Sequence, residues 1–113
     1  MTSINSSPLV TTTWLAAHQN EPEVRVIDVR WQSRYENGRG ISLDDYDGYL
    51  SVHIPGAVFA EMNSELSDPT HPVPDMLALP ERFAAAMGRL GVGPETLVVA
   101  YDNMGFPLGS ARL

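Results

Sequence analysis

The stretch LVVAYDNMG, residues 97–105, decides the fold class, because an apolar run of five residues leads directly into a loop of small residues. In open α/β sheets, ligands bind beyond the carboxyl ends of the strands, where backbone N–H groups and a helix N-terminus face outward. Asp102 holds the pivotal position in this loop. We therefore expect the loop after this strand to be the place where such a fold presents its chemistry.

The composition is that of an ordinary globular chain. Hydrophobic residues make up 43% of the 113 residues and charged residues 19%, which predicts one domain or part of one. The net charge is −7, and all seven basic residues are arginines. An acidic chain without a basic cluster disfavours nucleic acid and anionic membrane surfaces as partners. If the substrate is a small anion, its attraction must come from local groups.

The chain contains no cysteine, which excludes disulfides, thiolate metal sites and a thiol nucleophile within these residues. Its first residues have neither the basic nor the apolar region of a signal peptide. No stretch approaches the roughly 18 apolar residues that span a bilayer. We expect a cytoplasmic protein without a membrane partner, and no motif calls for a cofactor.

Strands and helices are predicted to alternate along the chain. The predicted strands are residues 9–10, 24–31, 57–59 and 97–101. The centre of the strand at 24–31 is almost continuously apolar, which is typical of a parallel strand buried on both faces. The alternation with helices predicts an α/β fold with a mostly parallel sheet.

Capping patterns place the helices. The first is expected to follow an N-cap within residues 11–13, and the second to open at the S-x-x-D pattern of residues 42–45 and end near Leu50. A third begins at Pro80 and ends at Gly91, with Phe83, Met87 and Leu90 on its buried face. A loop containing Gly38 and Gly40 precedes the second helix, and a long proline-containing loop covers residues 61–79.

Asp28 and Arg30 lie two residues apart, so they share a face at the end of the second strand. Arginine offers a forked cation to an anionic ligand. The same two residues would equally form an ion pair that holds a loop. We favour the ion pair, so both are predicted to be structural.

His53, Pro55 and Gly56 belong to a turn that precedes the third strand. The turn places an imidazole near the expected pocket, yet such turns more often aim the next strand while the histidine bonds to backbone. The three residues are therefore predicted to be structural. His18 is read in the same way, as a surface histidine of the first helix.

Asp44, Asp45 and Asp47 resemble a carboxylate cluster that binds a metal. Their position in the first turn of a helix is already explained by capping and by the helix dipole. No neighbouring residues complete a set of ligands, so we expect no metal site.

The last loop contains Gly105 and Gly109, which favour a nest of backbone N–H groups that binds anions. Asp102 opposes this reading, because a carboxylate repels anions and cannot act as a thiol. Ser110 has no paired base in the sequence that would make it a nucleophile.

Several sequence motifs follow one another along the chain in a characteristic order. They are VIDVRW at residues 26–31, HIPGAVF at 53–59, LSDP at 66–69, FAAAMGRLGV at 83–92 and VVAYD at 98–102. Together they resemble the N-terminal domain of tandem-domain rhodaneses, the thiosulfate and 3-mercaptopyruvate sulfurtransferases. The resemblance covers residues 9–113, and its strongest markers are the HIPGA turn and the strand that ends in Tyr-Asp.

The resemblance implies a rhodanese-like three-layer fold and a partner domain. In this family a cysteine in the C-terminal domain takes sulfane sulfur from a small anion and passes it on through a persulfide. The N-terminal domain carries Asp at the equivalent position, which Asp102 matches, so this chain would hold no catalytic residue. Trp31 matches an aromatic residue near the active cleft, and Phe106 or Leu108 matches a second, so these three are expected in the pocket or interdomain wall.

On this basis residues 1–8 are expected to form a flexible tail. Residues 9–113 are expected to form an incomplete, non-catalytic domain, truncated before its last helix and strand, whose partner is the C-terminal domain of the same protein. Two alternatives stay open. One is a stand-alone rhodanese-like module that binds other proteins, and the other is an independent catalyst that uses Asp102.

Overall fold

The computed structural model describes residues 8–103 and 110–113. The helices are α1 (Thr12–His18), α2 (Tyr46–Ser51) and α3 (Pro80–Arg89). The strands are β1 (Val24–Asp28), β2 (Trp31–Glu36), β3 (Arg39–Asp44), β4 (Val58–Phe59) and β5 (Leu97–Tyr101). A short 3₁₀ helix, Ser110–Arg112, follows.

The main sheet has the order β4-β1-β5, with both pairings parallel. Strands β1 and β5 pair along their whole length, from Val24 opposite Leu97 to Asp28 opposite Tyr101. Asp28 also lies opposite Phe59 of β4. This arrangement confirms the α/β fold with a mostly parallel sheet.

Apolar side chains cover both faces of this sheet, because successive residues of a strand point to opposite sides. On one face Ile27 packs with Leu66 and with Leu90, which follows α3. On the other, Val24 and Val26 pack with Leu15 of α1. The layers are therefore helix, sheet and helix, as the resemblance implied.

Helices α1 and α3 agree with the predictions. The Thr11 hydroxyl caps α1 by accepting a hydrogen bond from the Trp14 N–H at 3.0 Å. Helix α3 begins at Pro80 and is followed by Gly91, whose φ of +82° is easy only for glycine.

The region between β1 and α2 differs from the prediction. The predicted strand 24–31 ends at Asp28, and the predicted glycine loop is an antiparallel hairpin of β2 and β3. Asn37 and Gly38 form its two-residue turn with φ of 52° and 75°, between the paired Glu36 and Arg39. Two successive positive φ angles are typical of the Asn-Gly turn, whose twist matches that of a hairpin.

Helix α2 begins later than its capping pattern predicted. Ser42 lies in β3, and its hydroxyl donates a hydrogen bond to Asp75 at 2.7 Å. Asp45 is the actual N-cap, and its carboxylate accepts a hydrogen bond from the Gly48 N–H at 3.0 Å. Ser42 is not the N-cap of α2, because its backbone is paired with β2 in the hairpin. The predicted strand at residues 9–10 is also wrong, and both side chains there are exposed.

Strand β4 is an edge strand of the main sheet as far as the described residues define it. The Ala60 N–H donates to the Asp28 carbonyl, so the carbonyls of Ala57 and Phe59 face away from β1. The Tyr49 hydroxyl donates to the Ala57 carbonyl at 2.6 Å. The Arg89 guanidinium donates to the Phe59 carbonyl at 2.9 Å. Side chains thus take up both outward carbonyls.

Replacing Gly38 by alanine is expected to lower the free energy of unfolding by about 1–2 kcal/mol, because a side chain disfavours positive φ. A Cβ at Gly38 would meet no atom within 4 Å, so the effect would come from the backbone alone. Gly40→Ala is the matched control, since that position has equal space and no positive φ. Chemical denaturation measures both. Equal stability of the two variants would contradict the assigned turn.

Candidate functional site

The candidate site lies at the carboxyl edge of the parallel sheet. Asp28, Phe59 and Tyr101 are aligned across the ends of β1, β4 and β5. The chain segments that follow these strands therefore leave the sheet at one edge. This is the edge at which open α/β folds bind ligands.

Asp28 and Arg30 form a buried ion pair at this edge. Asp28 is fully buried and Arg30 is 9% exposed. The Asp28 carboxylate accepts hydrogen bonds from the Arg30 backbone N–H at 3.0 Å and from its Nε at 3.0 and 3.1 Å. An Arg30 terminal nitrogen lies 2.8 Å from the same carboxylate. Hydrogen bonding to Asp28 raises the pKa of Arg30, so the pairing stabilises the charged guanidinium.

Arg30 and Tyr101 both hold the turn that contains His53, Pro55 and Gly56. Arg30 donates to the Val52 carbonyl at 2.9 Å. The Tyr101 hydroxyl accepts a hydrogen bond from the Ile54 N–H at 3.0 Å. Burial raises the pKa of Tyr101, which keeps the phenol neutral. Within this site the Arg30 guanidinium contacts Asp28, the Val52 carbonyl and the Tyr101 hydroxyl.

The turn itself is built from backbone contacts. His53 Nδ1 lies 2.7 Å from the Tyr49 carbonyl, and its ring stacks on that of Tyr49 with centroids 3.9 Å apart. Gly56 has a φ of +83°. The geometry agrees with the structural interpretation of the HIPGA motif, and no role in binding substrate follows from it.

Asp102 follows β5 directly and faces Ser110 across the loop. One carboxylate oxygen, Oδ2, accepts hydrogen bonds from the Ser110 N–H at 3.2 Å and from its hydroxyl at 2.8 Å. Nothing in the spacing of Asp102 and Ser110 along the sequence indicates this contact. A carboxylate, and no thiolate, thus occupies the pivotal position and binds the far side of the loop.

The other residues predicted for the site are Trp31, Phe106, Leu108 and two loop glycines. Trp31 is 5% exposed and belongs to the core cluster that contains Ile27 and Met62. Phe106, Leu108 and the glycines Gly105 and Gly109 lie outside the described residues. The pocket or interdomain wall formed by Trp31, Phe106 and Leu108 therefore stays a prediction.

The acidic residues around α2 serve local structure. Asp45 caps the helix, and the Asp44 carboxylate accepts hydrogen bonds from the Asn63 N–H at 2.7 Å and the Ser64 hydroxyl at 2.5 Å. Within residues 8–103 and 110–113, no three acidic, histidine or cysteine side chains come together as metal ligands. Asp44 instead ties the hairpin to the loop that follows β4.

The fold and the carboxyl-edge geometry agree with a sequence match: the chain belongs to the rhodanese-like domain family, whose model covers residues 11–112. It is 43% identical over 90 residues to the 3-mercaptopyruvate sulfurtransferase of Escherichia coli K12, covering 80% of this chain and 30% of that protein. It is 38% identical over 106 residues to the thiosulfate sulfurtransferase of Bos taurus, covering 90% of this chain and 33% of that protein.

Solved structures show the same likeness. The crystal structure of SseA from Escherichia coli superposes with a TM-score of 0.66 at 43% identity, covering 80% of this chain and 33% of that chain. The sulfur transferase subunit of yeast mitochondrial complex I gives a TM-score of 0.71 at 27% identity, covering 88% and 31%. The chain spans about a third of the length of these relatives. Within the described residues, no helix has the length and apolar character needed to cross a membrane.

Proposed function

We propose that this chain is the non-catalytic N-terminal domain of a tandem-domain sulfurtransferase. The observation that carries the proposal is the residue after β5. In the family that this chain resembles, the C-terminal domain has its sulfur-carrying cysteine at the equivalent position. Here the position holds Asp102, which is hydrogen-bonded to Ser110. The domain is proposed to extend over residues 9–113, in a cytoplasmic protein.

The chemistry of the whole protein would lie on the C-terminal domain. A cysteine thiolate there would attack the outer sulfur of thiosulfate, break its S–S bond and release sulfite, or attack the sulfur of 3-mercaptopyruvate, break its C–S bond and release pyruvate once the carbon has taken up a proton. Either step leaves a persulfide on the cysteine. A thiophilic acceptor such as cyanide then takes the outer sulfur as thiocyanate, and the thiolate forms again. The present chain would contribute a wall of the pocket, for which Trp31 is the candidate among the described residues.

Purified residues 1–113 are expected to show no transfer of sulfur from thiosulfate to cyanide above the buffer rate, because the persulfide requires a thiol. Formation of thiocyanate measures this rate. The matched variant is Asp102→Ala. Turnover in the unmodified chain that this substitution abolishes would contradict the proposal and favour an independent catalyst based on Asp102.

The stand-alone interaction module predicts the same inactivity, so a second measurement separates the two. The intact mass of the protein isolated from its own cells is expected to be roughly three times the 12.4 kDa of this chain, as the relatives' lengths suggest. A native mass equal to that of the chain would instead support the module.

A further inference from the structure

A cavity of about 430 Å³ lies beside β4 and shares Phe59 with the carboxyl-edge site. Its walls come from α2, from β4 together with Glu61 after it, and from the last turn of α3. The lining residues are Tyr46, Tyr49, Val58, Phe59, Glu61 and Arg89. The sulfur-transfer proposal does not use this cavity, although its Tyr49 also contacts the HIPGA turn through His53 and the Ala57 carbonyl.

Three aromatic rings form one side of the cavity. The ring centroid of Phe59 lies 5.4 Å from that of Tyr46 and 5.2 Å from that of Tyr49. The two tyrosine rings stack with centroids 5.9 Å apart. Tyr49 is held in place by its hydrogen bond to the Ala57 carbonyl. The Tyr49 part of the aromatic wall is therefore held in place before any ligand arrives, which lowers the entropic cost of binding.

The charges of the cavity are unbalanced. Arg89 is committed to Glu65, which it contacts through two nitrogens, and to the Phe59 carbonyl. Hydrogen bonding to Glu65 raises the pKa of Arg89, so the positive charge of its guanidinium is already stabilised within the protein. The Glu61 carboxylate accepts no hydrogen bond from the described part of the chain, although its backbone N–H donates to Glu65. The cavity thus presents, beside aromatic rings, a carboxylate that accepts no hydrogen bond from the described residues and that Arg89 influences through its charge alone.

The surroundings of Glu61 point in the same direction. Partial burial raises its pKa, and the charges of Glu65 and Asp44 add to the effect, while Arg89 opposes it. Burial and the two neighbouring carboxylates disfavour the negative charge of Glu61 in the free protein, and Arg89 favours it. A cationic ligand would stabilise that charge.

We propose that this cavity binds an organic cation, an ammonium group on a short hydrocarbon stem, with the charge on Glu61 and the stem against Tyr46, Tyr49 and Phe59. Cations are attracted to the faces of aromatic rings, and aromatic walls with a carboxylate are suited to ammonium groups. An anion is disfavoured, because the guanidinium in the cavity is already neutralised. The ammonium group comes from a free amine or from a lysine side chain of another protein, and the proposal is independent of the sulfurtransferase function.

The test is a titration of the full-length protein with n-butylammonium, followed by NMR shifts of the aromatic side chains, with butyrate as the matched anion. Saturable binding of n-butylammonium with a dissociation constant on the order of 1–10 mM is expected, and none for butyrate. Glu61→Gln is expected to weaken binding at least about tenfold, and Tyr46→Leu severalfold. Glu95→Gln, at an exposed acid before β5, is the control and should bind like the unmodified protein.

Linear, unsaturated shifts, or equal affinity in the Glu61→Gln protein, would overturn the proposal. Thermal unfolding of each variant establishes that it is folded before it is titrated. A lysine-containing peptide titrated beside n-butylammonium separates the two sources. Tighter binding of the peptide assigns the cation to a protein partner, and equal binding assigns it to a free amine.

Discussion

Replacing Arg30 by alanine is expected to lower the free energy of unfolding by about 3–5 kcal/mol, because it leaves a buried charge without its partner. Asp28 is fully buried, and Arg30 supplies its ionic contact and two of its side-chain hydrogen bonds. The substitution also removes the hydrogen bond to the Val52 carbonyl. Denaturant unfolding measures the loss.

The matched control is Arg34→Ala. Arg34 forms a comparable ion pair with Glu36 at 2.7 Å, but both side chains are at least half exposed. Exposed pairs contribute about 0–1 kcal/mol, so this variant should stay close to the unmodified protein. A similar small loss for both arginines would show that the pair at the sheet edge contributes no more than an ordinary surface contact.

The same variant distinguishes bracing from substrate binding. If Arg30 only holds the strand end and the turn, Arg30→Ala in the whole sulfurtransferase should reduce thermal stability and leave the KM for thiosulfate near that of the unmodified enzyme. A large rise in KM at unchanged stability would identify Arg30 as a ligand of the substrate anion.

Replacing Leu66 by alanine is expected to cost about 2–5 kcal/mol, the range for truncating a large buried side chain. Leu66 is 1% exposed and packs in the same cluster as Ile27 and Met62, although it lies in the long loop after β4. The loop is further fixed by the Ser67 hydroxyl, which donates to the Met62 carbonyl at 2.8 Å. Thermal and denaturant unfolding both report the loss.

Leu77→Ala is the control within the same loop. Leu77 is 65% exposed, so its truncation is expected to change stability by less than about 0.5 kcal/mol. If the two leucine variants were equally stable, the first half of the loop would not belong to the core as described.

The parallel sheet was predictable because the apolar runs of β1 and β5 are too continuous for strands with one wet face. The hairpin was missed, although Asn37-Gly38 is a strong turn signal. The residues around that dipeptide are mostly polar and exposed, so hydrophobic periodicity carried little information there. The S-x-x-D pattern at Ser42 favoured a helix start there, but Ser42 pairs with β2 as part of β3, and α2 begins only after Asp45.

At the candidate site, sequence reasoning found the residues but few of their contacts. Asp28 and Arg30 were expected to share a strand face, but β1 ends at Asp28, and Arg30 reaches the carboxylate from the segment after the strand. The contact between Asp102 and Ser110 depends on the path of the intervening chain, which local patterns do not specify. The burial of Leu66 likewise depends on how the loop crosses the sheet. The cavity beside β4 brings together residues from two helices and a strand, so no local motif marks it.

The hydrogen bonds that Tyr49 and Arg89 make to the outward carbonyls of β4 have a consequence for assembly. An edge strand ordinarily offers its free carbonyls and N–H groups to any other extended chain. Here a phenol and a guanidinium occupy the acceptors that an incoming strand would need. A strand that added to the β4 edge would therefore have to displace the Tyr49 and Arg89 side chains from these carbonyls first.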